Sequence, residues 1–283
     1  MQSFTQDYSN PNLPNVLVFD SGVGGLTITR EIVALTPNCN ITFAADNAYF
    51  PYGTKSEQDL VARICHVLQH LVQITAADLV IIACNSASTA ALPALRDQLA
   101  IPVVGVVPAI KPAAAISASK TIGLLATPGT VARDYTDDLI KQFAPDCHVI
   151  KIGSRRLVDM AEAKLAGGTV HADELANELE RFAQPDHKTM DTVVLACTHF
   201  PLLQPELSQC LPGVAHWIDS GNAIARRAES LLLPIYQNKR HSIATNSSAP
   251  TYRCLFTQEP RNPMFLIEYL SSWFTKNWSV VIL

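Results

Sequence analysis

The sequence predicts an α/β protein of two pseudo-symmetric parallel-sheet α/β domains, with the active site in the cleft between them. Three observations predict this. Short β-branched runs alternate with amphipathic stretches along nearly the whole chain, the pattern of βα repeats. Several of the short runs are apolar at consecutive positions, as expected of parallel strands covered on both faces. The segment Asp78-Leu-Val-Ile-Ile-Ala-Cys84-Asn85 is also echoed by Asp191-Thr-Val-Val-Leu-Ala-Cys197-Thr198, and a weaker echo pairs Phe19-Asp20-Ser21 with Leu125-Ala126-Thr127. Two echoes at similar offsets suggest a duplicated unit.

In chain order, strands are expected over 16–19, 41–45, 79–83, 103–107, 122–126, 149–152 and 193–196. Helices are expected over 26–35, 57–75, 86–98, 131–143, 156–166, 172–182, 202–210 and 223–232. Residues 239–250 are polar and read as a loop. Residues 252–257, 264–274 and 279–283 then read as strand, helix and strand. If the duplication holds, residues 14–107 plus 220–283 form a discontinuous first domain and 108–219 the second. The chain then crosses between them near 107–110 and 219–222, which are candidate hinges.

Of the 283 residues, 48% are hydrophobic and 16% charged, enough apolar surface for a sizeable core. A net charge of −4 gives no reason to expect nucleic acid or an anionic membrane as partner. No apolar run approaches the roughly 18 residues needed to cross a bilayer, and the polar start of the chain does not read as a signal peptide. Seven cysteines without a C-x-x-C pair argue against a disulfide framework or a zinc ribbon. A cytoplasmic location is therefore expected.

Cys84 and Cys197 each end a predicted parallel strand, followed by Asn85-Ser86 and Thr198-His199. Ligands of open α/β sheets bind outside the carboxyl ends of the strands, and a thiol there faces the start of the next helix. One such cysteine reads as a small core residue; two in matching contexts point to chemistry. Two thiols on opposite walls suit inversion of a carbon centre, one removing a proton from one face while the other delivers a proton to the opposite face. Asp20 and Ser21 close the first strand and open Gly22-Val23-Gly24-Gly25. This run lacks the third glycine of a dinucleotide fingerprint and the Gly-Lys-Ser/Thr of a phosphate loop, so a tight strand-to-helix turn is its plain reading. Pro51-Tyr52-Gly53 likewise reads as a turn, whose amides can also receive a carboxylate. His199 could relay a proton, bind substrate or orient a neighbour. No H-E-x-x-H or Cys/His cluster suggests a metal.

Taken together and in this order, Asp20-Ser21-Gly22-Val23-Gly24-Gly25, Pro51-Tyr52-Gly53, Ala83-Cys84-Asn85-Ser86-Ala87-Ser88 and Cys197-Thr198-His199-Phe200-Pro201 resemble the aspartate/glutamate racemase family, and within it the glutamate racemases. The N-terminal arm and Val103-Val-Gly-Val-Val-Pro-Ala-Ile-Lys-Pro112 look like the Gram-negative members of that family. The resemblance covers about residues 16–232. It implies racemisation of L- and D-glutamate, supplying D-glutamate for peptidoglycan, with no pyridoxal phosphate and no metal. It implies that Cys84 and Cys197 are the acid/base pair and that Asp20 and His199 assist them. Ser21, Pro51, Tyr52, Gly53, Asn85, Ser86 and Thr198, with Asp20 and His199, would bind substrate. UDP-N-acetylmuramoyl-L-alanine as activator, and a monomer or weak dimer, are further implications. Ser86 departs from the family pattern, which usually has Thr there; the hydroxyl is kept and a methyl lost. A sister racemase acting on aspartate shares the two-thiol logic. A cysteine hydrolase or amidotransferase would need one nucleophile, a partner His and an oxyanion hole, and leaves the second cysteine unexplained. A non-catalytic binder of a small anion is a third reading.

Overall fold

A computed structural model of the chain describes residues 10–242, 249–260, 266, 268–271 and 278–282. Two wholly parallel sheets carry the fold. The first contains β1 (Asn15–Asp20), β2 (Asn40–Ala45), β3 (Leu79–Ile82), β4 (Val103–Gly105), β9 (Tyr252–Phe256) and β10 (Trp278–Ile282), in the order β10-β9-β2-β1-β3-β4. The second contains β5 (Thr121–Ala126), β6 (His148–Gly153), β7 (Thr192–Ala196) and β8 (His216–Ile218), in the order β6-β5-β7-β8. The runs β2-β1-β3-β4 and β6-β5-β7-β8 have the same topology, so the echo seen in the sequence is an echo in the fold.

In each sheet the first strand pairs with the second on one side and the third on the other: Phe19 lies opposite Ala44 and Ile82, and Leu125 opposite Ile152 and Leu195. The winding direction reverses between first and third strands, and the carboxyl ends on either side of such a reversal leave a crevice. Asp20 and Cys84 flank one crevice, Thr127 and Cys197 the other.

Alternation along the strands divides each sheet's residues between two faces. In β1, Val16 and Val18 join a core with Ile28 and Ile32 of α1 (Leu26–Leu35) and Ala225 and Ala228 of α10 (Gly221–Ser242). Leu17 and Phe19 join the opposite core, with Leu60, Ile64, Leu68 and Leu71 of α2 (Glu57–Thr75) and Ala87 and Ala91 of α3 (Asn85–Gln98). The α2 residues recur every three or four positions, one stripe of a helix. Its start is fixed by Ser56, whose Oγ accepts from the Asp59 amide at 3.2 Å, a cap that contributes about 1 kcal/mol. The second sheet is covered on one face by α4 (Ile110–Ile116) and α6 (Asp134–Phe143), and on the other by α7 (Arg156–Leu165), α8 (Ala172–Glu178) and α9 (Gln204–Cys210).

Several elements differ from the sequence expectation. The strand predicted over 103–107 stops at Gly105, and α4 follows with Pro112 in its first turn, where a missing amide hydrogen costs nothing. The helix expected over 131–143 is two helices, α5 (Pro128–Val131) and α6, because Arg133 between them is extended. The final long helix, expected over 223–232, runs from Gly221 to Ser242 and takes in the start of the predicted loop; Lys239 on it pairs with Asp78 at 2.6 Å. β8 is three half-buried residues, too short to show a period. Most of the helix expected over 264–274 lies outside the described residues, as do 243–248 of the loop and Leu283. Among the described residues no helix is long and apolar enough to cross a membrane.

Candidate active site in the cleft between the sheets

One pocket is lined from both halves. It gathers Asp20, Ser21, Pro51, Tyr52, Gly53, Cys84, Asn85, Ser86, Cys197, Thr198 and His199, every site residue expected from the sequence. Phe50, Thr54, Thr127, Pro128, Arg155 and Val158 complete the lining.

Cys84 follows β3 after Ala83 and occupies the cap position of α3, with its thiol buried. Ser21 Oγ lies 3.7 Å from Cys84 Sγ and donates to Asp20 Oδ1 at 3.3 Å, linking the thiol to the carboxylate. Burial, and then the Asp20 charge, push the Cys84 thiol well above the usual range; the Ala87 amide at the start of α3 only partly opposes them. Cys197 follows β7 in the matching place. Its Sγ lies 3.8 Å from His199 Nδ1, and His199 Nε2 lies 2.7 Å from Glu162 Oε1 on α7. Burial lowers the basicity of His199, but Cys197 and the Glu162 carboxylate outweigh it and hold the imidazole well above its ordinary value. A positive charge is therefore favoured beside Cys197, while Cys84 is held as a thiol.

Asp20 is fully buried and ties the halves together, since Thr198 Oγ1 donates to its Oδ2 at 2.9 Å. Burial raises its carboxyl, against the opposing effects of His199, Thr198 and Ser21. Ser86 Oγ lies 2.9 Å from Thr127 Oγ1, a second bond across the cleft and this one between two hydroxyls. Among the described residues, buried Asn85 Oδ1 has no hydrogen-bond partner. An unsatisfied polar atom lining a pocket marks a place where a ligand group is wanted.

The Pro51-Tyr52-Gly53 turn is held from beneath. Tyr52 donates its phenol to Asp46 Oδ2 at 2.7 Å, and Arg63 grips the same carboxylate at 2.9 and 2.7 Å. Burial alone would raise the Asp46 carboxyl, yet Arg63 and Tyr52 bring it below its ordinary value. The folded-state pKa thus lies under the unfolded value of about 3.9, so this contribution to stability is complete above that pH and is lost on acidification through the folded pKa. Asp46→Asn is expected to cost about 1.5–3 kcal/mol at pH 7 and to flatten the fall of the urea midpoint below about pH 4. Equal acid dependence in both proteins would show that the pair does not titrate with folding. A Cβ on Gly53 would stand 2.6 Å from Thr127 Cβ, so glycine is what lets this turn touch the opposite half.

Gly24 meets the same constraint against the segment that follows β7: a Cβ there would lie 2.4 Å from His199 Nδ1 and 2.7 Å from Thr198 Oγ1. Gly24→Ala is therefore expected to push His199 and Thr198 aside and to lower kcat/KM about 10²-fold, the cost of an ångström-scale misplacement. Steady-state kinetics alongside a melting curve checks this, and unchanged kinetics in a folded variant would contradict it.

Sequence reasoning missed Glu162 and Thr127. Thr127 was within reach, since it stands in the second half where Ser21 stands in the first. Glu162 carries no local signal: it is one of many charges on an amphipathic helix, and only the packing of α7 aims it at His199 and the Val23 amide, 3.3 Å away. Among the described residues no group of three or more His, Cys, Asp or Glu side chains could hold a metal ion.

Twin parallel sheets with a buried thiol from each in one pocket define the class: the chain belongs to the Asp/Glu/Hydantoin racemase family, whose profile matches residues 16–228. It is an enzyme of that family, and its similar relatives are glutamate racemases. It is 52% identical over 224 residues to that of Vibrio cholerae serotype O1, covering 79% of this chain and 83% of the relative. It is 43% identical over 268 residues to that of Glaesserella parasuis serovar 5, covering 95% and 97%. The crystal structure of Escherichia coli glutamate racemase, in complex with L-glutamate and the activator UDP-MurNAc-ala, matches with a TM-score of 0.84 at 43% identity, over 96% of this chain and 98% of that one. The resemblance seen in the motifs therefore stands.

Proposed function

We propose that the chain interconverts L- and D-glutamate by two-base proton transfer between Cys84 and Cys197, using neither pyridoxal phosphate nor metal. The observation that carries this reading is the pair of buried thiols at equivalent strand ends of two like sheets, opening on one pocket.

In each turnover one sulfur, as thiolate, takes the α-proton, and its S–H bond forms as the C–H bond breaks. The electron pair is left on the α-carbon and spreads into the α-carboxylate. The other sulfur delivers its proton to the opposite face, and the two thiols exchange protonation states. The α-proton is far less acidic than a thiol, so the developing charge must be met by fixed donors in a site closed to water. Asn85, Ser86, Thr198 and the turn at Pro51–Gly53 are assigned to substrate binding. Ser21 and Asp20 serve Cys84, and His199 serves Cys197.

The halves are assigned as 14–107 plus 220–283, and 108–219, with hinges near 107–110 and 219–222. The hydrogen bond from Ser220 Oγ to Val107 O, 2.8 Å, supports this, since it joins a residue of one assigned crossing to a residue of the other. The E. coli neighbour's activator supports a like response to UDP-N-acetylmuramoyl-L-alanine here. D-glutamate supply for peptidoglycan, a cytoplasmic location and a monomer or weak dimer complete the reading.

The test is α-proton exchange in D₂O, followed by NMR, with both enantiomers of glutamate and of aspartate, with and without the muramoyl precursor. Exchange with inversion of both glutamate enantiomers is expected. Absence of exchange with glutamate in either condition would sink the assignment, and faster exchange of aspartate would move it to the sister activity. A rate indifferent to the precursor would remove the activator.

A further inference from the structure

Arg133 is the residue at which the expected helix 131–143 breaks, and the break gives it a task. Its extended backbone, φ −82° and ψ 139°, separates α5 from α6. Its side chain is only 8% exposed. It belongs to the second half of the chain, yet its partners belong to the first. Nη1 donates to Thr89 Oγ1 on α3 at 3.0 Å, and Thr89 Oγ1 in turn donates to the carbonyl of Asn85 at 2.9 Å. Nε lies 3.5 Å from Glu57 Oε2, a carboxylate 63% exposed to solvent.

This is an expensive way to hold two halves together. A buried guanidinium loses its hydration, and a single solvent-exposed carboxylate returns little of it. What the arrangement does secure is position. The cation is joined through Thr89, by two hydrogen bonds in series, to Asn85 in the first turn of α3, the turn that Cys84 caps. Cys84 lies within electrostatic reach of the guanidinium. The charged groups that act on Cys84 from the pocket, Asp20 first and then Cys197, both oppose a negative charge on it. Cys197 has the His199 imidazole at 3.8 Å as its own cationic neighbour. Arg133 supplies a positive charge on the other wall of the cleft, bonded to the helix that Cys84 caps.

We propose that Arg133 is a positioning residue for the Cys84 half of the reaction: reaching across from the opposite domain, it fixes the first turn of α3 and supplies the positive charge that the Cys84 thiolate faces when Cys84 is the base. The proposal rests on the reading of Cys84 as one of the two bases. It predicts an effect on one sulfur and not the other, which a general loss of packing would not give.

The experiment is site-resolved alkylation. The full-length protein is treated with iodoacetamide at pH 8, and the labelling rates of Cys84 and Cys197 are read separately by peptide mass spectrometry. In Arg133→Gln, Cys84 labelling is expected to fall about fivefold or more while Cys197 stays within twofold of wild type. Arg133→Lys, which keeps the charge, should restore a large part of the Cys84 rate. Should Gln at 133 prevent folding, the near-isosteric Thr89→Val removes the acceptor and should slow Cys84 selectively in the same way. Unchanged Cys84 labelling in a folded variant, or an equal change at both cysteines, would overturn the proposal. The parent reading fails differently: a Cys84→Ser protein that still racemises glutamate would remove Cys84 as a base whatever the labelling shows.

Discussion

Replacing either Cys84 or Cys197 by serine is expected to lower glutamate racemisation by at least about 10³-fold while leaving the fold intact. Positioned acid–base groups contribute roughly 10²–10⁴-fold each, and both thiols must act in every turnover, so neither loss can be covered by the other. Serine keeps the size and a hydroxyl, but its proton is held far more tightly than a thiol's at working pH, so it is a poor base and a poor donor. Both positions are buried and nearly enclosed, 6% and 7% exposed, and one sulfur-to-oxygen change at each should be tolerated by the packing. The decisive reading is the split between the two enantiomers. A variant that retains one competent sulfur still presents one face of the site, so α-proton exchange in D₂O should survive unequally for L- and D-glutamate while inversion is lost. A single variant that racemises within tenfold of wild type would end the two-base mechanism. A covalent acyl adduct at one cysteine, seen by mass spectrometry, would turn the assignment toward hydrolase chemistry, where one cysteine is the nucleophile and the other is incidental.

The site was legible where chemistry sits in the chain next to the strand that presents it. Asp20-Ser21, Cys84-Asn85-Ser86 and Cys197-Thr198-His199 each begin at the end of a strand or within two residues of it, so a correct strand assignment is enough to place them at the sheet's carboxyl edge. Thr127 shares this placement, and the echo between Asp20-Ser21 and Ala126-Thr127 carried it, although the residue itself went unselected. Glu162, Arg133 and the Asp46–Arg63 pair were out of reach for a physical reason. Each acts from a helix or a loop, through a long side chain or a buried carboxylate, on a residue brought near by packing between elements. No local period encodes that. The same limit explains the helix that broke. Residues 131–143 keep a helical apolar rhythm through Ala132 and Arg133, and it is the bonding of Arg133 to Thr89 across the cleft that accompanies the extended residue there. A local rule failed at a residue buried beside the site, which is where such failures are expected to collect.

The second large effect belongs to the two groups that attend the sulfurs. Asp20→Asn and His199→Asn are each expected to lower kcat about 10²-fold with little change in KM, and to do so with opposite bias. Asp20 is joined to the Cys84 side, its Oδ1 accepting from Ser21 Oγ, which lies 3.7 Å from Cys84 Sγ. His199 is joined to the Cys197 side at 3.8 Å and is anchored by Glu162 at 2.7 Å. Each change should therefore slow the step in which its own sulfur takes the proton more than the reverse step. With α-deuterated L- and D-glutamate, the primary isotope effect should rise in one direction for Asp20→Asn and in the other for His199→Asn. Glu162→Gln leaves a hydrogen bond to His199 but weakens the hold on its positive charge. It should shift the bias the same way as His199→Asn, by a smaller factor, and move the pH profile of kcat. Asparagine at 20 also disturbs the bond from Thr198 Oγ1 across the cleft, so part of its effect could be geometric. The isotope data separate the two contributions: a geometric loss slows both directions alike, whereas loss of a proton-transfer partner does not. Equal isotope effects in both directions for both variants would mean that Asp20 and His199 shape the cleft without serving the sulfurs.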